Sequence, residues 1–307
     1  MKRRKFIRTS AILPVAGMAV SSCTAAGKGT GSCYTGPVSL SLNAYSFNSL
    51  LQEGEMSLEQ LFDFALETGF RGVDLTAYYI PGYPEVPDDS ILFDIRRLAF
   101  RYGLAISGTG VRNDFTLADP EERGKEKQLV MDWVVAASKL GAPHLRIFDG
   151  RTEPEGYTRE EITSWIAKEM AECAAFGREN GVVISYQNHN DFLKNSGEVG
   201  TLIETVGSGW FGLMLDIGSL PEGEVYGEIE RLIPYAVSWQ VKEKLLSGGE
   251  ESPTDFSRLI PLIIRSGYRG WLPLETLGEG DPFEKVRALY RTVSQELSMA
   301  AGTKTGT

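Results

Sequence analysis

Ser57-Leu58-Glu59-Gln60-Leu61-Phe62-Asp63-Phe64-Ala65-Leu66-Glu67-Thr68 runs into Gly69-Phe70-Arg71-Gly72-Val73-Asp74-Leu75-Thr76-Ala77, a helix-like segment followed at once by a strand-like one. The first dozen residues have helical periodicity, whereas 72–77 is a short β-prone run. The glycine between them suits a helix C-terminus that turns into a strand. A similar junction, Gly267-Tyr268-Arg269-Gly270, precedes the β-prone run 270–275 near the other end of the chain. Between these two lie more units of the same kind. β-prone runs start at 38, 72, 104, 143, 182, 211, 236 and 270, one every 25 to 39 residues. Helical stretches fill the gaps, among them Ser90–Tyr102, Pro120–Leu140, Thr158–Asn180 and, after the last run, Asp281–Leu297. Eight successive βα units predict an α/β protein, a single closed (β/α)8 TIM barrel. An open doubly wound sheet is the alternative. No G-x-G-x-x-G follows the first run, which leaves a dinucleotide fold with little support.

The composition is that of an ordinary globular chain: 307 residues, 42% hydrophobic and 23% charged, which excludes collagen, a coiled coil or general disorder. With 41 acidic against 31 basic residues the net charge is −10, so nucleic acid is not expected as a partner. Three cysteines are too few for a disulfide scaffold. The N-terminus carries a separate message. Arg3-Arg4 precede Phe6-Ile7, an apolar stretch runs from Ala11 to Val20, and Val20-Ser21-Ser22-Cys23 follows. This resembles a twin-arginine export signal ending in a lipobox, with Cys23 as the lipidated residue. The expected organisation is therefore an export signal over 1–22, a flexible tether over 23–36, the barrel over 37–300 and a disordered tail over 301–307. Removing the signal leaves 26 basic against 41 acidic residues, a net of −15. The protein is expected to be exported, periplasmic and held at the membrane only by its lipid. Cys33 falls in the tether and Cys173 in a helical stretch, where chain chemistry and packing account for them.

In such a barrel the site forms at the C-terminal ends of the strands. Side chains alternate faces along a strand, so each run can be read by parity. Val237, Trp239 and Val241 face the helices, leaving Ala236, Ser238, Gln240 and Lys242 to line the barrel, small below and polar above. The same reading turns Ser185, Gln187 and His189 inward on the fifth run and Asp216 on the sixth. It adds Asn43 and Tyr45 on the first, Asp74 on the second, Arg146 on the fourth and Glu275 on the eighth. Charged groups are costly to bury without partners, so their convergence on one end of a barrel marks a candidate site.

Gln187, Asp216, Gln240 and Glu275 supply oxygen donors from four consecutive runs, a set suited to Mn, Mg or Ca. The alternative is a hydrogen-bonded network closed by Lys242 and Arg146 without a metal. Two histidines exclude a three-histidine zinc site. His144 begins its run and reads as structural, whereas His189 ends its run and reads as a substrate or acid–base group. Tyr78, Tyr79 and Phe115 are either sugar-stacking aromatics at the mouth or loop packing.

Tyr186-Gln187-Asn188-His189, Leu215-Asp216-Ile217-Gly218, Trp239-Gln240-Val241-Lys242-Glu243 and Leu274-Glu275-Thr276 resemble the strand ends of the xylose isomerase-like sugar (phosphate) isomerase/epimerase superfamily. The resemblance spans Val38 to Leu297. It implies a divalent metal held by four strand-end ligands, a bound sugar or keto-sugar, and a carboxylate that moves a proton beside the carbonyl. Asp216 and Glu275 match as ligands. Gln187 stands where Glu or His is usual, and Gln240 where His is usual. Lys242 matches the family's lysine and Glu243 replaces its aspartate.

Glu275 is the expected general base, with His189 and Lys242 as the other candidate catalytic groups, and Asn43, Tyr45, Asp74, Arg146 and Asn188 are the candidate substrate contacts. Gln187 cannot accept a proton at neutral pH, so single-base isomerisation or β-elimination fits better than two-base epimerisation. A carbohydrate-binding barrel that has lost metal and turnover is the alternative from another class. A phosphodiester-cleaving relative would need more histidines and a basic surface.

Overall fold

The computed structural model describes residues 38–189, 191–247 and 249–302. The expected export signal, Cys23, Cys33 and the tether lie outside the described residues. Among the described residues no helix is long and apolar enough to cross a membrane.

Each βα junction is built from local chemistry. Ser57 and Gln60 form a reciprocal capping box that starts the helix Leu58–Thr68. Gly69 stops it in the left-handed region at φ 105°, where a side chain would be strained and would also meet the Tyr290 hydroxyl. The helix Arg159–Asn180 repeats the plan, with a Thr158/Glu161 capping box and a left-handed Gly181. The last helix runs Pro282–Gly302, two residues into the expected tail.

The strands are β1 (Val38–Asn43), β2 (Gly72–Asp74), β3 (Ala105–Gly110), β4 (His144–Ile147), β5 (Val183–Gln187), β6 (Phe211–Asp216) and β7 (Ala236–Lys242), followed by β8 (Lys244–Ser247), β9 (Glu250–Pro253) and β10 (Gly270–Glu275). Eight of them close in the order β1-β10-β7-β6-β5-β4-β3-β2, all parallel, with Val38 beside Gly270 completing the ring. The fold is a single (β/α)8 TIM barrel. Strands β8 and β9 form an antiparallel hairpin in the loop after β7, which periodicity did not separate from its surroundings.

Most of the apolar core lies between strands and helices, where Trp239, Val241, Ile184, Tyr186, Leu213 and Leu215 are buried. Val237 departs from its expected cover: at the start of β7 it is 41% exposed, outside the helical layer. Inside the barrel, Ser41, Ser107, Ser185 and Ser238 come from alternate strands and are all buried. Alternate strands supply the residues of one layer in such barrels, and here that layer is small and polar. It leaves room above for long side chains.

Candidate active site

Strand register assembles the upper layer. Asp216 lies beside Gln240, Lys242 beside Glu275, and Asn43 beside Asp74. Above them opens a cavity of about 800 Å³, lined by Asn43, Asp74, Arg146, Gln187, Gln240, Lys242 and Glu275, with Tyr45 and His189 on its wall. Seven of the candidate residues therefore reach one space from six strands, His189 reaches it from just past β5, and Tyr45 from a turn. Asp216 lies directly beneath and is fully buried.

The heart of this layer is an ion triad. The Lys242 ammonium donates to Asp216 Oδ2 at 2.8 Å and lies 3.2 Å from Glu275 Oε2. Asp216 Oδ2 also accepts from the Gln187 amide at 2.7 Å and from the Ser219 hydroxyl at 3.0 Å, and Asp216 Oδ1 accepts from the Gly218 N–H. The Gln240 amide donates to Glu275 Oε1. Burial pushes the Glu275 carboxyl above its ordinary range, against the pull of Lys242. Burial works against the Lys242 charge too, but the two carboxylates more than offset it and hold the ammonium protonated.

Whether this set suits a divalent ion depends on its donors. A cation already bridges the two carboxylates. Both glutamines turn N–H groups, not oxygens, toward those carboxylates. Among the described residues no three His, Cys, Asp or Glu side chains converge as ligands. The expected ligands do come together, but as a closed network of ions and amides that does not fit a metal. Lys242 closes it; Arg146 does not take part. Gln240 Oε1 is left buried without a partner, an acceptor suited to a hydroxyl.

The opposite wall has a different character. Arg146 reaches across β3 because Gly110 has no side chain: a Cβ there would stand 2.7 Å from the guanidinium Nε. Gly108 likewise makes room for His144, which bonds Ser185 Oγ at 2.9 Å. Burial, helped by Arg146, lowers the His144 pKa to about 4, which fits a neutral structural residue. Arg146 donates to Val111 O at 2.6 Å and to the Tyr78 hydroxyl at 3.1 Å. Two guanidiniums lie over the Phe148 ring, with Arg146 4.3 Å and Arg112 4.4 Å from its centre. His189 meets the same ring edge-on and lies 3.3 Å from Asp191. Burial raises the Asp74 carboxyl to about 6 despite Arg146, and Asp74 Oδ2 has no partner.

Several expected positions need correction. Tyr45 is not on β1: the Asn43 side chain accepts the Tyr45 N–H at 2.9 Å and caps a 3-10 turn that carries Tyr45 to the rim. Asn188 does not line the cavity, because its amide is spent on both backbone groups of Asp216. Phe115 is fully buried, away from the mouth, and Tyr79 bonds Asn48, leaving Tyr78 as the cavity aromatic of the three. Sequence reasoning missed Arg112, Phe148 and Arg151. They stand just beyond strand ends, where parity no longer applies; the glycines at 108 and 110 were the one available signal.

The xylose isomerase-like TIM barrel family matches residues 62–293. No curated protein sequence matches the chain. Among solved structures, an L-ribulose 3-epimerase superposes with a TM-score of 0.72 at 16% identity, covering 87% of this chain and 97% of that one. A D-psicose 3-epimerase with D-tagatose from Clostridium cellulolyticum H10 gives 0.66 at 15% identity, over 86% and 97%. A xylose isomerase-like TIM barrel protein from Mycobacterium smegmatis in complex with magnesium gives 0.63 at 19% identity, over 79% and 88%. The match extends over well more than half of the sequence and over the strands that carry the ion triad: the chain belongs to the xylose isomerase-like TIM barrel family.

Proposed function

We propose that this protein is a sugar isomerase or epimerase that moves a proton on the carbon beside a sugar carbonyl, and that it works outside the cytoplasm. The twin-arginine pattern and Cys23 support the location. Family membership and the sugar epimerases among its structural neighbours support the reaction class. The observation that carries the reading is Glu275, a buried carboxyl with a raised pKa, facing the cavity beside the Lys242 ammonium.

Glu275 is the base, because burial brings its proton affinity closer to what C–H abstraction at neutral pH requires. Lys242 has three donors and spends two on carboxylates, so one remains for the oxygen on which negative charge develops. Gln240 Oε1 accepts a sugar hydroxyl. Asp74, unpartnered and on the cavity wall, serves as the second proton carrier that Gln187 cannot be. His189, paired with Asp191, orients the ligand at the rim.

The test is deuterium exchange from D2O into a panel of ketoses and keto-sugars, followed by NMR. Glu275→Gln is expected to lower exchange by about 10³-fold while leaving the fold intact. Undiminished exchange in that variant removes Glu275 as the base. A second reading, a barrel that binds carbohydrate without turnover, draws on the closed state of the triad. Saturable sugar binding without exchange in the wild-type protein would favour it.

A further inference from the structure

The two walls of the cavity differ in how their charges are balanced. Lys242 has two carboxylates within ion-pair distance. Arg146, 8% exposed, has neutral oxygens as its hydrogen-bond acceptors, Val111 O and Tyr78 Oη. Arg151 also lines the cavity, and among the described residues neither it nor Arg146 has a carboxylate within ion-pair distance. Arg112 has one, Asp191 at 3.4 Å, which is shared with His189, and its Nε is buried without a partner. A guanidinium taken from water without a counterion is costly. Arg146 bears that cost. With the half-buried Arg112 and the exposed Arg151 on the same wall, three guanidiniums face one ion-paired acid, Asp191. They leave a local excess of positive charge toward a solvent-connected cavity in a chain of net charge −10.

The geometry points to an anion subsite: we propose that Arg112, Arg146 and Arg151 receive an oxyanion group carried by the sugar, a carboxylate or a phosphate monoester. This deepens the proposed function and rests on it, since the sugar's reacting carbon would lie toward Glu275. The guanidinium fork suits both oxyanions through paired N–H donors. Two of the forks lie over the Phe148 ring, and a guanidinium held through its face keeps its N–H edges available for a ligand. The Arg112 Nε–H supplies a donor that no protein atom uses.

Binding is best measured in the full chain carrying Glu275→Gln, so that turnover does not interfere. Calorimetric titrations with D-glucuronate, D-glucose 6-phosphate and D-glucose at low salt separate the sources of the anion. At least one anionic sugar is expected to bind about tenfold more tightly than D-glucose, and the advantage should shrink as salt is added. Preference for glucuronate alone assigns a sugar acid, and preference for the phosphate alone assigns a phosphorylated sugar. In an added Arg112→Gln/Arg151→Gln background the preference should vanish while D-glucose affinity stays within about twofold. Equal affinities, no binding of any of the three, or a preference that survives the double substitution overturns the subsite. Exchange chemistry on neutral sugars with no anionic preference would leave the proposed function standing and remove the subsite. Anionic binding without exchange in the wild-type protein would do the reverse.

Discussion

The β6–β7–β10 wall and the β3–β4 wall of one cavity bury charge by opposite means. On the first, Lys242 bridges Asp216 and Glu275, and every carboxylate oxygen has a donor. On the second, Arg146 and Arg112 lie against Phe148 and use neutral acceptors or one shared acid. The first wall is complete within the protein, and the second gains its counterion from a ligand. Balanced ions position a reacting group rigidly, whereas surplus ions select what enters.

The largest effect is expected from removing the cation of the balanced wall. Lys242→Met leaves Asp216 and Glu275 as neighbouring buried carboxylates and should cost about 3–5 kcal/mol in urea denaturation. Replacing the whole triad, as Asp216→Asn/Lys242→Met/Glu275→Gln, should recover most of that loss. A single variant as stable as the wild type would mean that the triad is not the balanced unit its distances describe.

Asp74, between the walls, gives the next largest effect, and with the opposite sign. Its folded value of about 6 exceeds the ordinary 3.8, so between these values the folded chain holds an extra proton. That contribution to stability is full below about pH 4 and is lost as pH rises through 6. Asp74→Asn removes the loss and should make the protein about 2–3 kcal/mol more stable at pH 7, with little change near pH 3.5. Arg146, Glu275 and His144 surround the group. His144, at about 4, titrates across the same window with the opposite slope, so the difference between wild type and variant must be read. Equal stability of the two proteins at pH 7 would place Asp74 in better-solvated surroundings than its 3% exposure describes.

Gly110→Ala acts on the unbalanced wall alone. The added Cβ would meet Arg146 Nε at 2.7 Å and Cζ at 2.8 Å, and the guanidinium must move. The stability cost should be about 1–2 kcal/mol, because Arg146 Cβ also lies 3.0 Å from the added atom and β4 must give slightly with it. The preference for anionic sugars should fall by about tenfold, with proton exchange on neutral sugars unchanged. An unchanged preference would separate Arg146 from the subsite and leave it to Arg112 and Arg151.

The balanced wall was legible in the sequence because all its members sit on strands, where parity and register dictate facing: Gln187, Asp216, Gln240, Lys242 and Glu275 needed only alternation and the right strand ends. What alternation could not supply was the direction of the amide groups, and so whether oxygens or N–H groups meet the carboxylates. The second wall was hidden because Arg112 and Arg151 follow β3 and β4, where loop geometry replaces the two-residue period. Tyr45 and Asn188 mark the same boundary: each lies just past its strand, and a backbone hydrogen bond, not parity, fixes its direction. The β8–β9 hairpin stayed unseen because its burial alternates too little to stand out from a polar loop.

The smallest expected effect is none, and it discriminates most sharply between a lysine-bridged site and a metal site. If Lys242 holds the two carboxylates, EDTA and Mn2+ should each leave the melting temperature within about 1 °C of its starting value, since a ligand without affinity for the folded state does not shift unfolding. Elemental analysis of natively purified protein should find no divalent ion in proportion to chain. Lys242→Met vacates the bridge, and with two carboxylates left uncompensated that variant should gain Mn2+-dependent stabilisation the wild type lacks. Stoichiometric Mn2+ in the wild-type protein, lost in Asp216→Ala, would reverse the order: the glutamines would then present their oxygens, Lys242 would swing toward substrate, and the balanced wall would owe its balance to a metal.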